Sequence, residues 1–304
     1  MELVDKLSNR QYIDGEWVES SNKNTRDIIN PYNQETIFTV AEGTKEDVER
    51  AILAARRSFE DGEWSLETSE VRGKKVRAVA DKIKENREEL AKLETLDTGK
   101  TLEESYADMD DIHNVFMYFA GLADKDGGEM INSPIPNTES KIVKEPVGVV
   151  TQITPWNYPL LQASWKIAPA LATGCSLVMK PSEITPLTTI RVFELMEEVG
   201  FPKGTINLVL GAGSEVGDVM SGHEEVDLVS FTGGIETGKH IMKQAANHVT
   251  DVALELGGKN PNIIFDDADF ELAVDQALNG GYFHAGQVCS AGSRILVQDR
   301  KSVV

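Results

Sequence analysis

Between residues 147 and 256, five short apolar segments alternate with longer amphipathic ones, and this alternation constrains the fold more than any other feature. The apolar segments are 147–153 (VGVVTQI), 176–180 (SLVMK), 206–210 (INLVL), 226–231 (VDLVSF) and 251–256 (DVALEL). The stretches between them, near 159–172, 185–199, 214–221 and 235–247, fit helices. Short, nearly continuous apolar runs have the character of strands buried on both faces. Strands and helices of these lengths in strict alternation close as right-handed crossovers, giving a parallel sheet covered on both sides. The expected fold is therefore α/β, a doubly wound parallel sheet of Rossmann-like kind. Such sheets bind nucleotides at the carboxyl ends of their strands.

The flanking regions are less regular. Residues 11 to 18 read as a hairpin around Asp14-Gly15. Thr44 with Asp47 has the form of a helix start, and Val48, Ala51, Ile52, Ala55 and Phe59 then recur at helical spacing. Helical regions are expected from about Glu70 to Leu96 and from Glu103 to Leu122. Gly127-Gly128 and the prolines at 134 and 136 break that pattern, so 129 to 148 reads as an extended ribbon. After Gly257-Gly258 the alternation restarts with a strand (NIIF), a helix from Asp269 to about Asn279, a Gly-rich loop and a strand at Arg294 to Val297. A unit of about 45 residues cannot bury a core of its own.

Charge narrows the partners. A formal net charge of −20 disfavours nucleic acid, whose phosphates need clustered Lys and Arg. It would modestly steer a cationic small molecule, although an ordinary acidic surface is the simpler explanation. No apolar run approaches the roughly 20 residues of a membrane span, and the N-terminus lacks the pattern of an export signal. Two cysteines, Cys175 and Cys289, make no disulfide framework, so a cytoplasmic protein is expected.

Several segments carry chemistry. Gly211-x-Gly213-x-x-x-Gly217 follows a strand and opens a helix, where backbone N–H groups can face a pyrophosphate. Its spacing is one residue longer than the usual dinucleotide loop, and alone it reads equally as a plain turn. Phe231-Thr232-Gly233-Gly234 is similar. Lys180-Pro181-Ser182-Glu183 ends the second strand, where a carboxylate accepts from ribose hydroxyls and repels a 2′-phosphate. By itself, such a pair is more often simply solvated.

Cys289 lies in a loop of small residues, GQVCSAG, open to an approaching substrate. His284, five residues earlier, invites a Cys–His pair, though the spacing does not require one. Glu255, flanked by Leu254 and Leu256, would be a general base if its setting were apolar; on spacing alone it is an outward-facing strand residue. Asn157 offers a neutral N–H donor for an oxyanion, or merely caps a helix. Tyr158 and Trp165, seven residues apart, could line a pocket for a cation, or belong to the core.

The order PWNYPL, KPSE, FTGG, LELGGK and GQVCSAGSR, with 34 positions from Glu255 to Cys289, closely resembles the aldehyde dehydrogenase superfamily, from about Gln11 to Gln298. The resemblance implies that Cys289 attacks an aldehyde and that Asn157 with the Cys289 N–H holds the oxyanion. Hydride would pass to NAD, and Glu255 would activate the water that releases the acid. It also implies that Lys180, Ser182 and Glu183 hold the adenosine ribose. Ile153, Trp156, Asn157, Gly213, Gly217, Phe231, Thr232, Gly233, Gly234 and Leu256 would shape the cofactor cleft. Lys166 matches a proton-relay lysine of some members. The backbone carbonyls of Ile28 and Ile184 with the Asp97 carboxylate match a monovalent-cation site for K+ or Na+.

Within the superfamily the chain is most similar to the bacterial betaine-aldehyde branch, which makes the osmoprotectant glycine betaine. Tyr158 and Trp165 match two walls of that branch's box for a trimethylammonium head. Other aliphatic or semialdehyde substrates, or a non-catalytic NAD-binding fragment, stay open. The implied division is 1–128 with 149–257 as the NAD-binding domain, 129–148 as an oligomerisation ribbon of a dimer or tetramer, and 258–298 as the start of a catalytic domain. Two departures stand out. Gly234 replaces a serine common after FTG, and the chain stops where roughly a third or more of the domain pair should follow. The tail 299–304 reads unlike the family and is expected to be non-native.

Overall fold

The computed structural model describes residues 3–125 and 127–299. The chain opens with the hairpin β1 (Gln11–Ile13) and β2 (Glu16–Val18), paired Gln11 to Val18. Its turn residues Asp14 and Gly15 both have positive φ, 54° and 79°, the conformation that matches the twist of the two strands. A second antiparallel pair follows, β3 (Thr25–Ile29) with β4 (Thr36–Ala41). The sequence patterning gave no sign of it.

Helix α1 (Lys45–Glu60) starts with a reciprocal cap: Thr44 Oγ1 accepts from the Asp47 N–H, and Asp47 Oδ2 accepts from the Thr44 N–H. Val48, Ala51, Ile52 and Ala55 are fully buried. The helix expected over 70–96 is two, α2 (Ser69–Glu85) and α3 (Arg87–Thr98). At Asn86 both the backbone N–H and the side-chain amide donate to the Lys82 carbonyl, closing α2, while the Asn86 carbonyl starts α3 by accepting from Leu90. The apolar spacing runs through this junction unbroken, so only the cap reveals it. Helix α4 (Leu102–Leu122) begins at a second reciprocal cap, Thr101 with Glu104. Strands β5 (Glu129–Asn132) and β6 (Glu139–Ile142) form an exposed antiparallel ribbon.

The alternating region then builds β7 (Val149–Ile153), α5 (Pro159–Thr173), β8 (Ser176–Lys180), α6 (Leu187–Val199) and β9 (Ile206–Leu208). The helix expected over 214–221 is a wide π-helical turn, Gly213–Gly217, leading into a short α7 (Asp218–Gly222). Next come β10 (Leu228–Gly233), α8 (Ile235–Ala245) and β11 (Asp251–Leu256). The seven-stranded sheet has the order β11-β10-β7-β8-β9-β1-β2, parallel from β11 to β9, with the N-terminal hairpin added antiparallel through Tyr12 opposite Leu208. Chain order reverses between β7 and β10, which opens a crevice at their carboxyl ends.

Strand residues alternate between two cores. Val150, Leu177 and Met179 face a core shared with α2 to α6, whereas Val149, Ile153 and Val178 face one shared with α1, α7 and α8. The sheet is thus covered on both sides from β7 to β9, whereas one face of the edge strand β11 is left open by the described residues. Beyond it, β12 (Pro261–Ile264) and β13 (Arg294–Val297) form a two-stranded parallel sheet with α9 (Phe270–Tyr282) between them. Every residue of β13 is exposed. Of the tail expected to be non-native, residues 300–304 lie outside the described residues.

Candidate active site

The nucleotide end lies where β7, β8 and β10 finish. Lys180 is not solvated: its side chain is buried, and Nζ donates to the Pro181 carbonyl at 2.9 Å and to Glu183 Oε2 at 3.3 Å. Burial pushes the Lys180 ammonium below its ordinary value, against the pull of Glu183. Burial works to raise the Glu183 carboxyl, but Lys180 and the more distant Arg26 outweigh it and hold it low. Both groups are therefore kept ready for hydrogen bonds to vicinal hydroxyls. Ser182 is buried beside them.

The glycine loop is held from the N-terminal region. Glu42 takes a two-pronged bond from Arg26, at 2.5 and 2.7 Å, and its Oε1 also accepts from the Ala212 N–H at 3.0 Å. Sequence reasoning missed this pair, because 170 residues separate Glu42 from the loop it holds. Gly217 passes close to Ile153, and Gly213 faces open space. At Gly233 a Cβ would lie 2.4 Å from the Phe231 ring. A Cβ at Gly234 would meet nothing within 4 Å, and no side chain caps the start of α8. The Thr232 hydroxyl is buried without a partner. Uncapped N–H groups, an orphan hydroxyl and open space suit a pyrophosphate. Leu256 closes over Gly238, and Trp156 is exposed.

Cys289 is exposed in a cleft of about 540 Å³, lined also by Gly234, Glu236, Gly257, Gly258 and Val288. Cys289 and His284 do not pair, an outcome that the spacing left open. His284 is buried, its Nε2 lies 2.9 Å from the Asn157 carbonyl, and its ring meets Tyr158 at a tilt of 60° with centroids 5.0 Å apart. Asn157 in turn donates from Nδ2 to the Gln287 carbonyl at 2.8 Å. One of its two amide hydrogens remains for another acceptor. Glu255 is exposed on β11 rather than set among apolar groups, because strand alternation turns it to a face that the described residues leave open. Lys166 donates to Ser230 Oγ at 3.0 Å, and burial pushes its ammonium down to about 8 while Glu255 pulls the other way.

Tyr158 and Trp165 differ in exposure, 9% against 47%. Trp165 borders a shallow groove with Asp111, Tyr118 and Leu161. Tyr158 is buried, and its ring already carries a cation: Lys100 Nζ sits 4.2 Å above the centroid. Lys100 also bridges Asp108 at 2.5 Å and Glu94 at 3.4 Å, all three buried. Nothing in the spacing of Glu94, Lys100 and Asp108 announces this cluster. Asp97 is buried, accepts from the Leu187 N–H through Oδ2, and leaves Oδ1 without a partner. Burial raises its carboxyl well above the usual range. A buried orphan oxygen fits a hard cation.

The aldehyde dehydrogenase family model matches residues 17–302. The chain belongs to that family. The betaine aldehyde dehydrogenase of Bacillus subtilis (strain 168) is 67% identical over 293 residues, covering 96% of this aldehyde dehydrogenase chain and 60% of the relative. Betaine aldehyde dehydrogenase 1 of Oryza sativa subsp. japonica is 47% identical over 295 residues, 95% of this chain and 58% of its own. A crystal structure of the Staphylococcus aureus betaine aldehyde dehydrogenase in complex with NAD+ and with a BME-free Cys289 is 91% identical, with a TM-score of 0.97. It covers 98% of this chain and 59% of that one. An apo G234S mutant of the same protein has a BME-modified Cys289, so that protein also carries glycine in place of the common serine. The chain spans about 60% of the length of the curated relatives it matches. No helix among the described residues is long and apolar enough to cross a membrane.

Proposed function

We propose that the complete protein is an NAD-dependent aldehyde dehydrogenase that oxidises betaine aldehyde to glycine betaine in the cytoplasm. The observation that carries the reading is a shared cleft: Cys289 and the uncapped start of α8 at Gly234 to Thr237 line the same space. The Cys289 thiolate adds to the aldehyde carbon, and the new oxyanion takes hydrogen bonds from the free Asn157 amide hydrogen and the Cys289 N–H. NAD, held by Lys180, Ser182, Glu183 and the loops at Gly213 and Gly233, accepts the hydride when bound. Glu255 then takes a proton from the water that cleaves the Cys289 thioester, and Lys166 passes that proton onward. Asp97 with the Ile28 and Ile184 carbonyls would hold K+ or Na+, and the exposed ribbon of β5 and β6 would pair subunits.

The full-length protein should form NADH from betaine aldehyde faster than from simple aliphatic aldehydes, and Cys289→Ala should abolish it with NAD binding intact. NADH formation by the alanine variant would remove the nucleophile; equal rates on all aldehydes would remove the substrate. A second reading applies to the chain by itself. Phe265, Phe270, Leu272 and Leu296 are exposed, which favours NAD binding without turnover by this chain alone.

A further inference from the structure

The segment leading to Cys289 is held in an uncommon shape. His284, Ala285 and Gly286 are consecutive and all left-handed, with φ of 49°, 54° and 75°. Glycine takes that conformation freely, but each of the other two gives up roughly 1 kcal/mol or more. Something must over-determine it. The His284 N–H donates to Glu104 Oε1 at 3.1 Å, and the Gln287 N–H returns to the His284 carbonyl at 3.0 Å. The imidazole supplies the remaining anchor on the Asn157 carbonyl. A carbonyl only accepts, so Nε2 carries the hydrogen. Burial, and Lys100 nearby, depress the ring's proton affinity.

The anchor is placed where it matters. Asn157 receives His284 through its carbonyl and grips Gln287 with its side chain. The residue that would stabilise the oxyanion is thus tied at both ends to the loop that carries the nucleophile. We propose that His284 is a positioning residue: its Nε2–H bond to the Asn157 carbonyl sets the Cys289 loop relative to Asn157. The inference rests on Cys289 being the nucleophile, and no proton transfer is asked of the ring.

The test uses the full-length protein and three substitutions. His284→Phe keeps a ring against Tyr158 but loses the donor. His284→Asn stays polar but is too short to reach the carbonyl, and serves if the phenylalanine variant fails to fold. His284→Gln restores an N–H near the Nε2 position. Three quantities are measured: alkylation of Cys289 by iodoacetamide, followed by mass spectrometry, the kcat for NADH formation, and the Kd for NAD. The Phe and Asn variants should lose about tenfold or more in alkylation rate and in kcat, with the Kd for NAD unchanged, and Gln should recover most of both. Wild-type alkylation rates in the Phe or Asn variant would overturn the proposal, as would a Gln variant that folds yet recovers nothing. Should the wild type make no NADH from any aldehyde while alkylation still follows Phe, Asn and Gln as described, the positioning role stands and the enzymatic reading falls.

Discussion

Lys166 Nζ donates to the Ser230 hydroxyl at 3.0 Å, joining α5 to β10 beneath the catalytic crevice. Burial holds this ammonium at about 8, against an ordinary value of 10.5. The folded protein therefore releases the proton before the unfolded chain does. The cost of burying the charge is fully present below about pH 8, and stability recovers as pH rises from about 8 to 10.5. Lys166→Met should be more stable than the parent by about 2 kcal/mol at pH 7, a shift of this size less one hydrogen bond. Urea unfolding should show the difference shrinking towards pH 10. A constant difference across that range would mean the ammonium is not the source.

Lys100 pairs with both Glu94 and Asp108 in their buried cluster, and its removal takes the ammonium away from two buried carboxyls. Lys100→Met should cost about 3–5 kcal/mol. Adding Asp108→Asn should return a large part of that loss. Thermal unfolding of the single and double variants measures both, and equal losses would show that the ion pair carries little.

Glu42 serves two partners, so its replacements should separate them. Glu42→Ala loses both Arg26 and the Ala212 N–H and should weaken NAD binding about fivefold to tenfold. Glu42→Gln keeps an acceptor for Ala212 and should lose less. Titration calorimetry with NAD decides it; identical affinities in all three proteins would detach Glu42 from the cofactor loop.

At Gly233 there is no room for a methyl group. Gly233→Ala drives a Cβ to 2.4 Å from a buried Phe231 ring, and relieving that overlap should cost about 1–3 kcal/mol. The ring borders the cofactor crevice, so NAD affinity should fall with stability. Gly234→Ala, with open space around it, should do neither.

Much of this architecture is legible before folding because it is local. Strands β8 and β11 match the apolar segments 176–180 and 251–256, since an apolar run bounded by turn residues has one use in such a chain. Thr44 with Asp47, and Asp14 with Gly15, announce a cap and a turn within four residues. What is illegible is set at long range. Asn86 divides a helix through hydrogen bonds that leave the apolar spacing intact. The open face of Glu255, the burial of Tyr158 against Lys100, and the turning of His284 towards Asn157 rather than Cys289 depend on which elements meet. Motifs place Cys289 on a loop; only packing shows that the loop is tied to Asn157.

The pairing of Tyr12 with Leu208 also has a consequence in time. Strand β1 leaves the ribosome nearly two hundred residues before its neighbour β9 exists, and the strands on the far side, β10 and β11, come later still. Contacts of such large sequence separation must first overcome the entropy of closing long loops, which slows folding. Until then the short hairpin has little to hold it. During synthesis the helices α2 to α4 can collapse on one another before β9, the partner of β1, has been made.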